Sequence, residues 1–239
     1  MVSVRESINQ SYRMSPGKRP DGMLWVSDLG NHPAKAMRRI AEGYREEFDV
    51  PTHDKMSAGV ALEGDTIQRF VSVNGDSIPQ FPLFDNIWSG YADLVHCHGS
   101  ALPRIIEHKG VSSYVFKMAP EKLVKSTHVC QLWLYGQLYR ATYGVMPLLT
   151  LYYRGWGDYC EVDLEETGPG HVRVLGRVND RPVDFVTPYR PQRLRDEIEA
   201  CYRAGVVPSS EDVRGDVNGW TYAEDSAERL SLNAAKGSR

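Results

Sequence analysis

The sequence predicts an α/β fold, a central mixed β-sheet flanked by α-helices. Three observations predict it. Apolar residues recur at helical spacing over residues 54–73 and again over 120–143. Between those segments lie two short apolar runs, 92–95 and 105–109, which read as adjacent strands joined by the Gly99-Ser100 turn. From Pro147 onward the pattern turns to strands, at 148–153, 159–164 and 172–178.

With 239 residues, 41% hydrophobic and 25% charged, the chain is long enough for one good-sized core. A net charge of −3 and a pI near 6.2 exclude nucleic-acid binding through bulk charge but leave room for a local basic groove beside an acidic site. No stretch approaches the ~20 apolar residues of a membrane span, and the N-terminus is polar, with Arg5, Glu6, Asn9 and Gln10. A cytoplasmic protein is expected. Cys97, Cys130, Cys160 and Cys201 are widely spaced, which predicts reduced thiols in or near the core rather than disulfides or a zinc knuckle.

Taken in order, residues 2–13 have the spacing of a short amphipathic helix, ended by Ser15-Pro16-Gly17 and Pro20-Asp21-Gly22. Residues 24–30 form a brief extended segment ending in helix-capping chemistry. Pro33 suits the first turn of a helix in which Ala34, Met37, Ile40 and Ala41 recur at helical spacing. Lys35, Arg38 and Arg39 decorate that helix, either as phosphate contacts or as a solvated basic face. Over 54–73, Met56, Val60, Ile67 and Phe70 supply the apolar stripe. There Glu63 projects one turn after Gly59, where a missing side chain lets another backbone or a substrate strand approach. Gln80–Phe84 and Ile87-Trp88 form a strand and hairpin around the turn residues Asp85-Asn86.

Residues 110–120, carrying Lys117, are expected to be mobile. The helix over 120–143 sets His128, Gln131 and Tyr135 on one face, while Val129, Leu132, Trp133 and Leu138 pack. Such a polar trio needs hydrogen-bond partners, in a core network or across a cleft. Thr187-Pro188 opens a last helix with Arg190, Arg193, Arg195, Ile198 and Tyr202. Composition then turns polar and acidic, giving a domain over 1–206 and a polar tail over 207–239. There is no internal repeat and no G-x-x-x-x-G-K-[ST] phosphate loop, which excludes an ATPase motor.

The chemistry concentrates at Gly90-Tyr91-Ala92-Asp93 and at Ile105-Ile106-Glu107-His108-Lys109. Residues two apart on a strand share a face, so Glu107 and Lys109 project together while His108 points away. Two acids and a lysine in one pocket can hold Mg²⁺ or Mn²⁺ and orient a metal-bound water for phosphodiester hydrolysis. On an exposed edge the same Glu107 and Lys109 would be only a solvated ion pair. Glu63 reads either as a third carboxylate or as a surface acid.

The order is Gly59-x-x-x-Glu63 on a helix, Gly90-x-x-Asp93 and Glu107-x-Lys109 on strands, then Gln131-x-x-x-Tyr135 on a helix. It resembles the PD-(D/E)XK nuclease superfamily over about residues 24–153, and within it the RecB-like exonucleases, with the CRISPR-associated (Cas) four-type enzymes and related phage proteins. Ser27-Asp28-Leu29 leading to Pro33 is similar to that family's opening motif. The resemblance implies a restriction-endonuclease-like core and a Mg²⁺ or Mn²⁺ ion held by Asp93, Glu107 and the backbone carbonyl of His108, with Glu63 as a further ligand. It implies that Lys109 positions or activates the attacking water and that Gln131 and Tyr135 orient the site or touch the DNA backbone, with His128 a weaker candidate.

The implied function is a DNA exonuclease in phage recombination or end processing, acting on single- or double-stranded ends in the host cytoplasm. A single-strand annealing or recombination protein is the implied partner, and a homo-oligomer is compatible. A structure-selective endonuclease would use the same site. A catalytically idle DNA-binding module would keep only the fold. Many relatives carry four cysteines for an iron–sulfur cluster; here Asn31-His32 precedes Pro33 and Cys160 and Cys201 are isolated, so no cluster is expected. Alternation would send Cys97 to the face opposite His96 and His98, which argues against zinc there.

Overall fold

The computed structural model describes residues 22–30, 33–42, 50–168, 170–187 and 190–208. The helix expected over 2–13 and all but the first two residues of the tail lie outside them. The fold is α/β: an eight-stranded mixed sheet with helices on its faces. Its strands are β1 (Leu24–Trp25), β2 (Ser77–Phe84), β3 (Trp88–His96), β4 (Arg104–Gly110), β5 (Leu148–Arg154), β6 (Tyr159–Thr167), β7 (His171–Val178) and β8 (Arg181–Val186). The helices are α1 (Pro33–Glu42), α2 (Val50–Val73), α3 (Pro120–Leu123), α4 (Ser126–Tyr143) and α5 (Pro191–Ala204). The sheet runs β1-β3-β4-β5-β6-β7-β8, and β2 pairs with the other edge of β3.

Local chemistry explains these elements. Asp85 Oδ1 accepts the amide hydrogens of Ile87 and Trp88, both at 2.7 Å, and so closes the β2–β3 turn as its sequence foretold. β4 and β5 are parallel, and α4 is the crossover between them. Ile105, Glu107 and Lys109 pair with Leu149, Leu151 and Tyr153, so these six side chains share a face. That face packs against α4, whose Val129, Leu132, Leu134 and Leu138 are buried with Ile105, Leu149 and Leu151 in one core. The opposite face, with His108 and Tyr152, meets α2.

Several expectations need correction. The segment over 24–30 is a strand of only two residues followed by a 3₁₀ turn, Val26–Asp28, because Asp28 Oδ2 accepts the Trp25 amide at 2.7 Å and curls the chain. The helix over 120–143 is broken at Val124 and Lys125, which have ψ of 97° and 144°. Leu123 and Val124 are both buried at the break.

Residues 110–120 are not an open loop. Ser113–Lys117 forms a 3₁₀ turn whose Phe116 is buried, and the Val111 amide donates to Arg154 O at 2.9 Å. β8 was not foreseen, since Pro182 argues against a strand; it is an edge strand, where a missing N–H is tolerated. The last helix begins at Pro191 rather than at Thr187.

Candidate active site

Ser89 pairs with Phe84 of β2 and with Trp25 of β1, so those two strands occupy opposite edges of β3. β4 pairs with Leu94, Val95 and His96 on the β1 edge. Along that edge β3 has β1 beside residues 88–89 and β4 beside 94–96, and Gly90-Tyr91-Ala92-Asp93 lies in the gap between them. Points where neighbouring strands diverge are where α/β sheets form clefts.

Side chains fill that gap. The Tyr135 hydroxyl donates to Tyr91 O at 2.7 Å, and Asp93 Oδ2 accepts the His108 amide at 2.8 Å. A Cβ at Gly90 would lie 2.9 Å from the Tyr135 ring and 2.9 Å from Val26, so only glycine lets Tyr135 reach the strand. Tyr135 is 2% exposed, and its contact is with backbone. The sequence grouped Tyr135 with the chemistry, whereas its bond to Tyr91 O gives it the part of a plug.

Glu107 and Lys109 are not an exposed surface pair. Lys109 Nζ donates to Glu107 Oε1 at 2.6 Å, and Glu107 is 1% exposed. Glu107 Oε2 is buried without a hydrogen-bond partner. Asp93, 8% exposed, stands on the same face, and burial followed by the nearby Glu107 charge pushes its carboxyl well above the usual range. Glu63 on α2 is half-buried and joins the group: burial raises its carboxyl, the Lys109 ammonium pulls it down, and Glu107 raises it again. Burial alone would lower Lys109, but Glu107 and then Asp93 outweigh it and raise the ammonium above its ordinary value. Lys109 is therefore a cation at neutral pH.

The His108 ring projects to the other face, as strand alternation requires. Thr66 Oγ1 donates to Leu62 O at 2.8 Å, so its 3.1 Å contact with His108 Nε2 has the ring donating. Nδ1 is then a bare acceptor, buried without a partner. Burial, Lys109 and Arg154 push His108 down to about 4, so the ring is neutral. Arg154 donates to both Thr66 Oγ1 and Asp65 Oδ2 at 2.7 Å, which ties β5 to α2 beneath the site. Nothing in the sequence singles out Thr66 or Arg154. An open cavity of about 270 Å³ lined by Leu62, Tyr152, Arg154 and Trp156 lies on this His108 face, away from the Asp93 and Glu107 carboxylates.

His128 Nδ1 lies 3.0 Å from the Tyr153 hydroxyl, and burial, then Lys109 and Lys125, hold its ring well below the ordinary value. It is a neutral partner of the β5 tyrosine beside Lys109. Gln131 is half-buried one turn before Tyr135. A backbone does approach Gly59 closely, that of Gly110, but the residue that has to be glycine is Gly110: a Cβ there would meet Gly59 Cα at 2.9 Å, whereas one at Gly59 would meet nothing. Arg39 is structural, bonded to Asp28 at 2.6 Å and stacked 3.9 Å over the Trp25 ring. Arg38 is half-buried, and the Lys35 side chain lies outside the described residues.

All four cysteines are free thiols. β3 ends at His96, and Cys97 has φ of 53°, so alternation does not extend to it; its Sγ lies 3.1 Å from His96 Nε2. His96 Nδ1 is bonded to Ser77, and His98 Nδ1 to Tyr139. The two histidines thus face different partners.

The donor set of the site is carboxylate oxygen, which suits a hard divalent ion, and the orphaned Glu107 Oε2 has room in its hydrogen-bonding capacity for one. Among the described residues, no three His, Cys, Asp or Glu side chains lie close enough to hold a metal between them. No described helix is long and apolar enough to cross a membrane.

No family model matches the chain, and no curated protein matches it. Among solved structures, one titled "Crystal structure of SSO0001" aligns over 94% of each chain at 12% identity with a TM-score of 0.46.

Proposed function

We propose that the chain is a divalent-metal-dependent deoxyribonuclease on a PD-(D/E)XK core, working as a DNA exonuclease. The observation that carries this reading is the grouping of Glu63, Asp93 and Glu107 with Lys109 beside the β3–β4 divergence, with Glu107 Oε2 buried and unsatisfied. Buried like charges raise one another's proton affinity, and such grouping is characteristic of sites that bind cations or do chemistry. Asp93, Glu107 and the His108 carbonyl would hold Mg²⁺ or Mn²⁺, with Glu63 as the further carboxylate. Bound there, the ion supplies a Lewis acid for the scissile phosphate.

The protein's own groups have separable tasks. The His108 amide fixes one Asp93 oxygen by its 2.8 Å bond. Lys109, held charged, orients a water through its remaining N–H donors and offsets the negative charge that builds up on the phosphate. It acts as a cation rather than as a proton acceptor. Tyr135 and Gly90 keep the edge of β3 in place, and Gln131 would meet the DNA backbone. Work on DNA ends in recombination, beside a single-strand annealing protein, is the setting this reading favours.

A second reading, an idle DNA-binding module on the same fold, is favoured by one observation: among the described residues, three ligating side chains do not close around one point. Digestion of an end-labelled linear duplex beside a covalently closed circle, in Mg²⁺, Mn²⁺ or EDTA, separates the possibilities. Metal-dependent loss of the linear DNA with the circle intact is the expected result. Cutting of the circle would make the protein an endonuclease, and retention of both with salt-sensitive binding would favour the module.

A further inference from the structure

β2 and β3 hold one antiparallel register in which Pro79 pairs with Leu94 and Phe81 with Ala92. The position between them is Gln80, which therefore stands opposite Asp93 but forms no ladder pair. Its φ is 50°, the left-handed region, in the middle of a strand. That conformation is costly for a residue with a long side chain, and unlike glycine or asparagine, glutamine has no local means of easing it. A strained position that persists is over-determined by its surroundings, and such positions gather at functional sites.

The strained turn delivers the Gln80 amide to α2, where Nε2 donates to Glu63 Oε1 at 3.3 Å. Gln80 is exposed, so this long hydrogen bond offsets little of the strain as far as the fold is concerned. We infer that Gln80 is a positioning residue: its amide fixes the Glu63 carboxylate beside Glu107 and Lys109, where it would serve, through a bridging water, a divalent cation held by Asp93 and Glu107. This rests on the metal-dependent reading above.

Gln80→Gly separates this role from a structural one, because glycine adopts φ of 50° without strain while losing the amide. Mn²⁺ affinity is measured by isothermal titration calorimetry on wild type, Gln80→Gly, Glu63→Gln and the double variant, with thermal melting in EDTA alongside. The expected result is a Gln80→Gly protein that melts no lower than wild type but binds Mn²⁺ about 10- to 100-fold more weakly, as loss of a ligand's supporting bond does. Because Gln80 acts through Glu63, adding Gln80→Gly to Glu63→Gln should weaken Mn²⁺ binding no further.

Equal Mn²⁺ affinity in wild type and Gln80→Gly overturns the inference, as does full additivity with Glu63→Gln. Absence of Mn²⁺ binding by well-folded wild type overturns the metal reading as well. That outcome is distinct from the one in which wild type binds and Gln80→Gly binds equally.

Discussion

The His108 amide donates to Asp93 Oδ2 at 2.8 Å, just beyond Leu94 and Ile106, the last residues at which β3 and β4 pair through their backbones. A carboxylate thus takes over where the ladder stops, and the divergence of the two strands is held by an acid whose proton affinity burial and Glu107 raise. Keeping that acid ionised near Glu107 costs stability. Asp93→Asn retains an oxygen that accepts from His108 and removes the charge. In EDTA at neutral pH it should melt about 2–4 °C above wild type, the equivalent of about 1 kcal/mol for a domain of this size, while losing any stabilisation by Mn²⁺. A lower melting temperature would show that the charge supports the fold.

Lys109, partly exposed, pairs with the buried Glu107 carboxylate at 2.6 Å. Lys109→Met leaves Glu107 buried and uncompensated, which should cost about 3–5 kcal/mol. Adding Glu107→Gln should recover most of that loss. Urea denaturation of the two single variants and the double variant gives the coupling; simple additivity would mean that the pair contributes nothing as a pair.

Much of this arrangement was legible in the sequence because it depends on short-range rules. Period-two alternation puts Glu107 and Lys109 on one face and His108 on the other, and the structure bonds them accordingly, to each other and to Thr66. Helical spacing found α2 and the body of α4. What was hidden depends on partners far along the chain. Arg154 matters because it reaches Asp65 and Thr66 across 88 and more positions, and the Glu63-to-Gln80 bond exists only because β2 breaks opposite Asp93. The glycine that allows close approach is Gly110 rather than Gly59, which only the packing of α2 on β4 reveals. β8 escaped because Pro182 is tolerated on an edge that the sequence does not mark as an edge.

Tyr135 caps the Tyr91 carbonyl in the gap of β3. Tyr135→Phe should cost about 0.5–1.5 kcal/mol, the net contribution of one hydrogen bond. Gly90→Ala should cost at least as much, since its Cβ would sit 2.9 Å from that ring. Denaturant midpoints check both, and an unchanged midpoint for Gly90→Ala would mean that the ring has freedom to move aside.

Glu199, on α5, joins distant parts of the chain: it accepts from Trp88 Nε1 at 2.8 Å, Arg195 Nε at 2.7 Å and Arg203 Nη2 at 2.6 Å. Burial pushes its carboxyl up, but the bonds from Arg195 and Trp88 and the arginine charges outweigh it, and the net direction is down. A carboxyl whose folded value is depressed contributes stability above its unfolded value, about 4.3, and loses that contribution as pH falls through the folded value. Glu199→Gln should therefore destabilise by about 1–2 kcal/mol at pH 7, with the gap to wild type closing below about pH 4. Urea midpoints at the two pH values test it; a gap that stays constant would mean that shape, not charge, holds this contact.

The central claim is that Glu107 and its neighbours form a phosphodiester-hydrolysing centre. The most direct measurement is single-turnover cleavage of an end-labelled linear duplex in Mg²⁺ by wild type and by Glu107→Gln, with DNA binding measured in parallel in EDTA. The account expects wild type to release labelled product only with the metal, and Glu107→Gln to bind the duplex while cleaving it at least about 100-fold more slowly. Cleavage by Glu107→Gln at the wild-type rate, or by wild type in EDTA, would contradict it.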